Sequence, residues 1–177
     1  MAARIIVLNG GSSSGKSAIS RCLQATLPDP WLRLGIDDLL DALPPSLTET
    51  DAGVAIASDG TVTSGAGFHA IEAAWLDGIA AMVRSGARVI VDDVFLGGGE
   101  TQARLRPHFA GIEVLWVGVR CDAAIATGRE IARGDRAAGM AALQAEMVHR
   151  GVRYDLEVDS GRMAAIDCAR IIAARLG

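Results

Sequence analysis

The eight residues Gly10-Gly-Ser-Ser-Ser-Gly-Lys-Ser17 constrain this chain more than any other stretch. They match G-x-x-x-x-G-K-[ST], and they stand where that pattern has to stand. An apolar run, Ile5 to Leu8, precedes them and reads as a strand; Ile19 and Leu23 follow with the spacing of one helix face. Glycines let such a loop wrap closely, so that successive N–H groups point inward and the helix N-terminus adds its dipole, together making a cradle for phosphate oxygens. Strand, loop and helix in this order open an α/β fold with parallel strands. Gly10, Gly11, Ser12, Ser13, Ser14 and Gly15 are then nucleotide-binding backbone, Lys16 reaches the β and γ phosphates, and Ser17 places its hydroxyl on the Mg²⁺ that bridges them. ATP and Mg²⁺ are the expected cofactors. The competing reading is an ordinary Gly/Ser turn before an amphipathic helix.

Lysine usage sharpens the first reading. The 17 basic residues are 16 arginines and one lysine, and that lysine is Lys16. An ammonium is a compact point charge where guanidinium is a broad fork, so a site that fits a cation against crowded phosphates does not simply accept arginine.

Along the rest of the chain, short apolar runs alternate with longer amphipathic stretches, the signature of βαβ units. Strands are predicted at Arg4–Leu8, Leu32–Ile36, Arg88–Val94, Glu113–Val119 and Tyr154–Val158. Helices are predicted at Lys16–Thr26, Phe68–Ser85, Glu100–Phe109, Ala123–Arg133, Met140–His149 and Met163–Arg175. Right-handed crossovers turn this order into a doubly wound parallel five-stranded sheet with helices on both faces, whose ligands belong in the crevice at the carboxyl ends of the strands. One domain over residues 1–177 is expected, without repeats. Within it, 44–67 is an irregular acceptor-side excursion that can hold a short hairpin. Residues 129–139 are a lid-like segment with a hinge at Gly134.

Carboxylates sit where that rule puts functional groups. Asp37 and Asp38 follow the second strand, and Asp92 and Asp93 end the third. Asp37 is the candidate base for a hydroxyl acceptor, with an N-cap on the following helix as the alternative. Asp92 closes an apolar run in the way of a carboxylate that orients Mg²⁺; the alternative has it cap the next turn, with Asp93 on the opposite side of the strand. Arg129, Arg133 and Arg136 are spaced four and three apart, one helix face beside the hinge. They can close over the γ-phosphate, or they can form a solvated face paired with Glu130 and Asp135.

The acceptor leaves a negative signature. From Asp38 to Ala87 the only cation is Arg84, accompanied by His69, whereas a nucleoside monophosphate or a carboxylic acid needs arginine forks. The segment supplies Val54, Ile56, Val62, Phe68 and Trp75 instead, which suits a neutral, partly apolar hydroxyl compound, although Phe68 and Trp75 read first as core.

Composition excludes other classes. Half of the residues are apolar, 21% are charged, the mean hydropathy is +0.30 and the net charge is −4 with a pI near 5.3. Such a chain is neither disordered nor basic enough to hold nucleic acid. Cys22, Cys121 and Cys168 are odd in number and widely spaced, so neither disulfides nor a zinc site is expected. With no apolar stretch approaching the ~20 residues of a membrane span and no export signal, a soluble cytoplasmic protein is expected, its oligomeric state (homo-oligomer included) left open. His69, His108 and His149 have no metal-ligand spacing, and no G-x-S-x-G elbow supports serine hydrolase chemistry.

Beyond IIVLNGGSSSGKS, the stretches RCLQATLPDPWLRLGIDDLLDALP, VIVDDVFLGG, VLWVGVRCDAAIATGREIARGDRAAGMAALQ and VHRGVRYDLEVD closely resemble the chloramphenicol 3-O-phosphotransferase family. The resemblance spans nearly the whole chain and weakens over residues 44–67. It implies a P-loop NTPase-type fold like that of shikimate and nucleoside kinases, with a lid, and transfer of the γ-phosphoryl of ATP to the primary hydroxyl of chloramphenicol, inactivating the antibiotic. It also implies that Asp37 is the base and that Arg133 and Arg136 are lid arginines. The alternatives are a kinase of the same fold acting on another neutral hydroxyl metabolite or sugar, and a nucleotide-dependent switch or ATPase with no small-molecule acceptor.

Overall fold

Short runs of Val, Ile and Leu without polar alternation are strands buried on both faces. In the computed structural model, which describes residues 3–133 and 139–176, they pair as one parallel sheet. Its members are β1 (Ile5–Asn9), β2 (Leu32–Gly35), β5 (Val89–Asp93), β6 (Val114–Arg120) and β7 (Leu156–Asp159), in the order β2-β5-β1-β6-β7. β1 is central: Ile5 lies level with Val89 on one side and with Val114 on the other.

Alternation along β1 sorts the core into two layers. Ile6 and Leu8 pack with Ile19 and Leu23 of α1 (Lys16–Thr26) and with Cys168, Ala169 and Ile172 of α7 (Ala165–Ala174). Ile5 and Val7 face the other way, onto Leu76, Ile79 and Val83 of α3 (Ala66–Arg84) and Leu105 of α4 (Gly99–Leu105). Helices therefore cover both faces, the doubly wound α/β arrangement expected. α5 (Ala123–Arg133) and α6 (Met140–Met147) pack on each other through Ala126 and Ala141 and reach the carboxyl edge of the sheet. Within 44–67, β3 (Val54–Ile56) and β4 (Val62–Ser64) pair as an antiparallel hairpin, packed through Val54 and Val62 on Leu39 and Phe68.

Several boundaries move, each for a local reason. The helix expected over Glu100–Phe109 stays α-helical only to Leu105 and continues as a 3₁₀ turn, Arg106–Phe109, because Pro107 has no N–H to give to an α-helical partner. The second strand ends at Gly35, since Ile36 already opens α2 (Ile36–Asp41). β7 begins at Leu156 rather than at Tyr154: the Asp155 N–H donates to the Trp116 carbonyl at 2.9 Å, but the Trp116 N–H goes to the Asp155 carboxylate at 2.8 Å instead of to backbone. α6 stops at Met147, which leaves His149 in the turn that follows. No helix among the described residues is long and apolar enough to cross a membrane.

β6 carries a glycine where the sheet has no room. A Cβ at Gly118 would lie 2.8 Å from the Tyr154 ring, which is itself fixed at its hydroxyl by Asn9 and His149. Gly118→Ala is expected to lower unfolding stability by roughly 1–3 kcal/mol, read as a lower urea midpoint at unchanged slope.

Candidate active site

The phosphate loop follows β1 at the middle of the carboxyl edge. Its last glycine, Gly15, has φ 89°, a left-handed conformation that a residue with a Cβ resists, and this turn lets α1 start directly at Lys16. Lys16 is buried, and its ammonium donates to the carbonyls of Gly10 (2.7 Å) and Gly11 (3.0 Å). The cation is thus held over the loop's own backbone. Inside the loop the hydroxyls of Ser13 and Ser14 are buried without a hydrogen-bond partner. Orphaned hydroxyls beside a ring of N–H groups fit the oxygens of a polyphosphate.

Across the crevice, the Ser17 hydroxyl donates to Asp92 Oδ2 at 2.8 Å. β1 and β5 are neighbours in register, with Leu8 level with Asp92, which is why a strand end and a helix start 75 residues apart meet here. A hydroxyl and a carboxylate, both hard oxygen donors, are the protein ligands that Mg²⁺ takes when phosphates and water fill its remaining positions. Asp93 points away from this pair. It is buried, receives its neighbour Val94's N–H at 2.6 Å, and its carboxyl is pushed up to about 6, chiefly by burial and further by Glu72 and Asp92.

Asp37 is exposed at the end of β2, within the first turn of α2. It is not the N-cap considered from sequence: Gly35 holds that position, and the Asp38 carboxylate accepts the Gly35 N–H at 2.6 Å. Asp38 does the capping because only the third helical residue can fold back onto the cap.

The arginines separate. Arg129 spans from α5 to the loop after β7, where Nη2 donates to the Ser160 carbonyl at 2.8 Å, and it lies beside Gly15. Arg133 is exposed at the end of α5. Arg136, with the hinge at Gly134, lies outside the described residues. Glu130 is buried rather than on a solvated face, and it accepts the N–H groups of Gly139 (3.0 Å) and Ala141 (2.8 Å), capping α6.

On the acceptor side, Phe68 is core, as is most of Trp75. Arg84, the one cation counted there, is at the far end of α3, beside the carbonyls of His108 and Ala110. Folding brings in another cation. Arg104 of α4 meets the buried Glu72 at 3.2 Å, and His69 meets the same carboxylate oxygen at 3.2 Å. The incoming guanidinium is matched by a carboxylate, so it adds polarity to this side without an unopposed positive charge.

Three further side chains shape the site and were not picked out from sequence. Asn9 Oδ1 accepts the Phe95 N–H (2.9 Å) while Nδ2 donates to the Val148 carbonyl (2.8 Å), tying the turn after β5 to the turn after α6. Gln144 of α6 accepts the Ser12 N–H at 2.7 Å. Ser160 donates to the Ser14 carbonyl at 2.5 Å. Asn9 and Ser160 follow predicted strands, so the placement rule pointed at both; nothing in the sequence singles out Gln144. A cavity of about 280 Å³ beside Arg106 and Trp116 is at the opposite, amino end of the sheet.

Residues 3–177 match the family model "Chloramphenicol phosphotransferase-like protein". The chain belongs to this family. A Mycobacterium tuberculosis protein provisionally named an O-phosphotransferase is 31% identical over 179 residues, covering 94% of this chain and 79% of the relative. Among solved structures, a sugar kinase from Janibacter sp. superposes with a TM-score of 0.70 at 16% identity, covering 97% of this chain and 93% of that one. Shikimate kinase from Acinetobacter baumannii in complex with shikimate gives 0.65 at 19% identity, covering 98% and 93%. The fold is that of P-loop kinases, and family membership makes the chain a small-molecule phosphotransferase.

Behind the site, His149 is buried and its imidazole is pushed down to about 4, first by burial and then by Arg120 and Lys16. It is neutral near pH 7 and shares a 2.6 Å hydrogen bond between Nδ1 and the Tyr154 hydroxyl, which burial pushes up to about 12. The unfolded chain takes up this proton near 6.5 and the folded one near 4, so the contribution of His149 to stability is complete above 6.5 and is lost as pH falls toward 4. His149→Gln is expected to flatten the acid limb of stability against pH between those values, measured by urea unfolding at a series of pH values.

Proposed function

We propose that the chain transfers the γ-phosphoryl of ATP, bound with Mg²⁺, to the primary hydroxyl of chloramphenicol or a close relative. The observation that carries this reading is the meeting of Ser17 with Asp92 at the phosphate loop, on the same edge of the sheet as Asp37, in a chain of this family.

In this reading Asp37 accepts the hydroxyl proton as the oxygen bonds to phosphorus, and the bond to the β,γ-bridging oxygen breaks, releasing ADP. Lys16 would neutralise charge on the β and γ phosphates, and Arg133 and Arg136 would do so from the lid side; Arg129, beside Gly15, would help to hold the nucleotide. Ser17 and Asp92 are the residues that would hold Mg²⁺, which when bound spreads the charge of the phosphate oxygens. Closing arginines over the γ-phosphate keeps water from competing with the acceptor.

The acceptor wall supports a neutral compound: Leu39, Val54, Val62 and Phe68 are apolar, and Arg104 is matched by Glu72. The Glu72–His69–Arg104 group favours a second reading. Three hydrogen-bonding side chains beside an apolar wall also suit a sugar or another polyhydroxyl compound.

Incubating the protein with ATP, Mg²⁺ and chloramphenicol is expected to give a product heavier by one phosphoryl group, located by mass spectrometry on the primary hydroxyl. Unchanged drug with nucleotide shown to bind removes chloramphenicol and turns the search to sugars. Asp37→Asn is expected to keep nucleotide binding and lose about 10²-fold or more of kcat. Near-normal kcat would show that Asp37 is not the base.

A further inference from the structure

The phosphate loop contains one strained point, the third position of the four-residue turn Gly11–Ser14, which its own backbone closes with only a long hydrogen bond. Ser13 has φ 57°, in the left-handed region, which a residue with a Cβ occupies only where its surroundings over-determine it. Inside the loop the nearest restraint is a 3.3 Å bond from the Ser14 N–H to the Gly11 carbonyl. Two side chains from far along the sequence do more. Gln144 Oε1 accepts the N–H of Ser12 at 2.7 Å, and the Ser160 hydroxyl donates to the carbonyl of Ser14 at 2.5 Å. The residues on both sides of Ser13 are thereby held from outside the loop.

Both holding groups are themselves fixed. Gln144 is 4% exposed and Ser160 5%. α6 lies so close to the loop that a Cβ on Gly11 would be 3.1 Å from the Cβ of Gln144, and Glu130 caps the start of the same helix. The Ser160 N–H donates to the Arg120 carbonyl at the end of β6 (2.9 Å), while its own carbonyl receives Arg129.

We propose that Gln144 and Ser160 are positioning residues, which hold Ser13 in its left-handed conformation so that the loop presents its N–H groups to a polyphosphate. The inference rests on the nucleotide reading of the loop. It assigns to the helix behind the lid-like segment, and to the loop after the last strand, a share in nucleotide affinity that neither gains by touching the nucleotide. A loop already in its binding conformation does not spend binding energy on being ordered. The effect is specific to the β and γ phosphates, because AMP presents neither to the strained part of the loop.

The test uses Gln144→Met, which keeps length and bulk but cannot accept a hydrogen bond, and Ser160→Ala, which loses the donor. ADP binding is measured by calorimetry and AMP by displacement of ADP, on wild type and variants, well below their melting midpoints. Each variant is expected to bind ADP about tenfold more weakly, the scale of one hydrogen bond, with AMP affinity unchanged. Ser160→Thr, which restores the hydroxyl, is expected to restore ADP affinity. Unaltered ADP affinity, or a parallel loss for ADP and AMP, would overturn the proposal and leave the two side chains as packing. Should one variant fail to fold, the other decides. A wild-type protein that binds no ADP would overturn the nucleotide reading and this proposal together, whereas wild-type binding with unaffected variants removes the proposal alone.

Discussion

Parallel pairing of β1 between β5 and β6 is the constraint on which the rest depends. Parallel strands bring all their carboxyl ends to one edge, and the central strand's end is the one that every neighbouring connection can reach. A loop of N–H groups placed there meets a carboxylate from β5, a serine from the turn after β7 and a glutamine from α6, none of them close in sequence. The register is what makes the chemistry local: Leu8 level with Asp92 sets Ser17, at the first turn of α1, opposite that carboxylate.

Burial then divides labour between adjacent acidic residues. Asp92 keeps a hydroxyl partner at the phosphate loop, whereas Asp93, one residue on, faces the other way, and low local dielectric with Glu72 and Asp92 nearby makes its charge costly. At the end of β2 the same division appears in another form. Asp38 turns back to cap α2, while Asp37, one residue earlier in the same turn, is exposed at the carboxyl end of β2. In both pairs the strand or helix period, not the residue type, decides which carboxylate does what.

Burial divides labour around α5 and α6 in the same way. Glu130, which from its spacing reads as a surface partner for arginine, is buried as the cap of α6, and α6 in turn presses Gln144 onto the phosphate loop. The roots of the segment that carries the arginines are thus part of the loop's own support. Arg129 bonds to the Ser160 carbonyl, while Arg133 is exposed at the end of α5.

The fold class, the five parallel strands and the phosphate loop were legible in the sequence because each rests on local signals: runs of β-branched and aliphatic residues, helical spacing, and glycines in a fixed pattern. Strand and helix ends were less legible where a single side chain decides them, as Pro107 and Asp155 do. Asp37 and Asp92 could be found as candidates because functional groups follow strands. Which member of each pair faces the crevice could not, since one residue of register reverses it. Gln144 and the Glu72–Arg104 pair gave no signal at all: their partners lie 132 and 32 residues away, and only the packing of α6 and α4 against the sheet brings them within hydrogen-bond reach. Sequence alone determined the elements and the phosphate-binding chemistry, because those depend on neighbours along the chain; tertiary structure decided which groups hold that chemistry in place, because hydrogen bonds are set by distance in space.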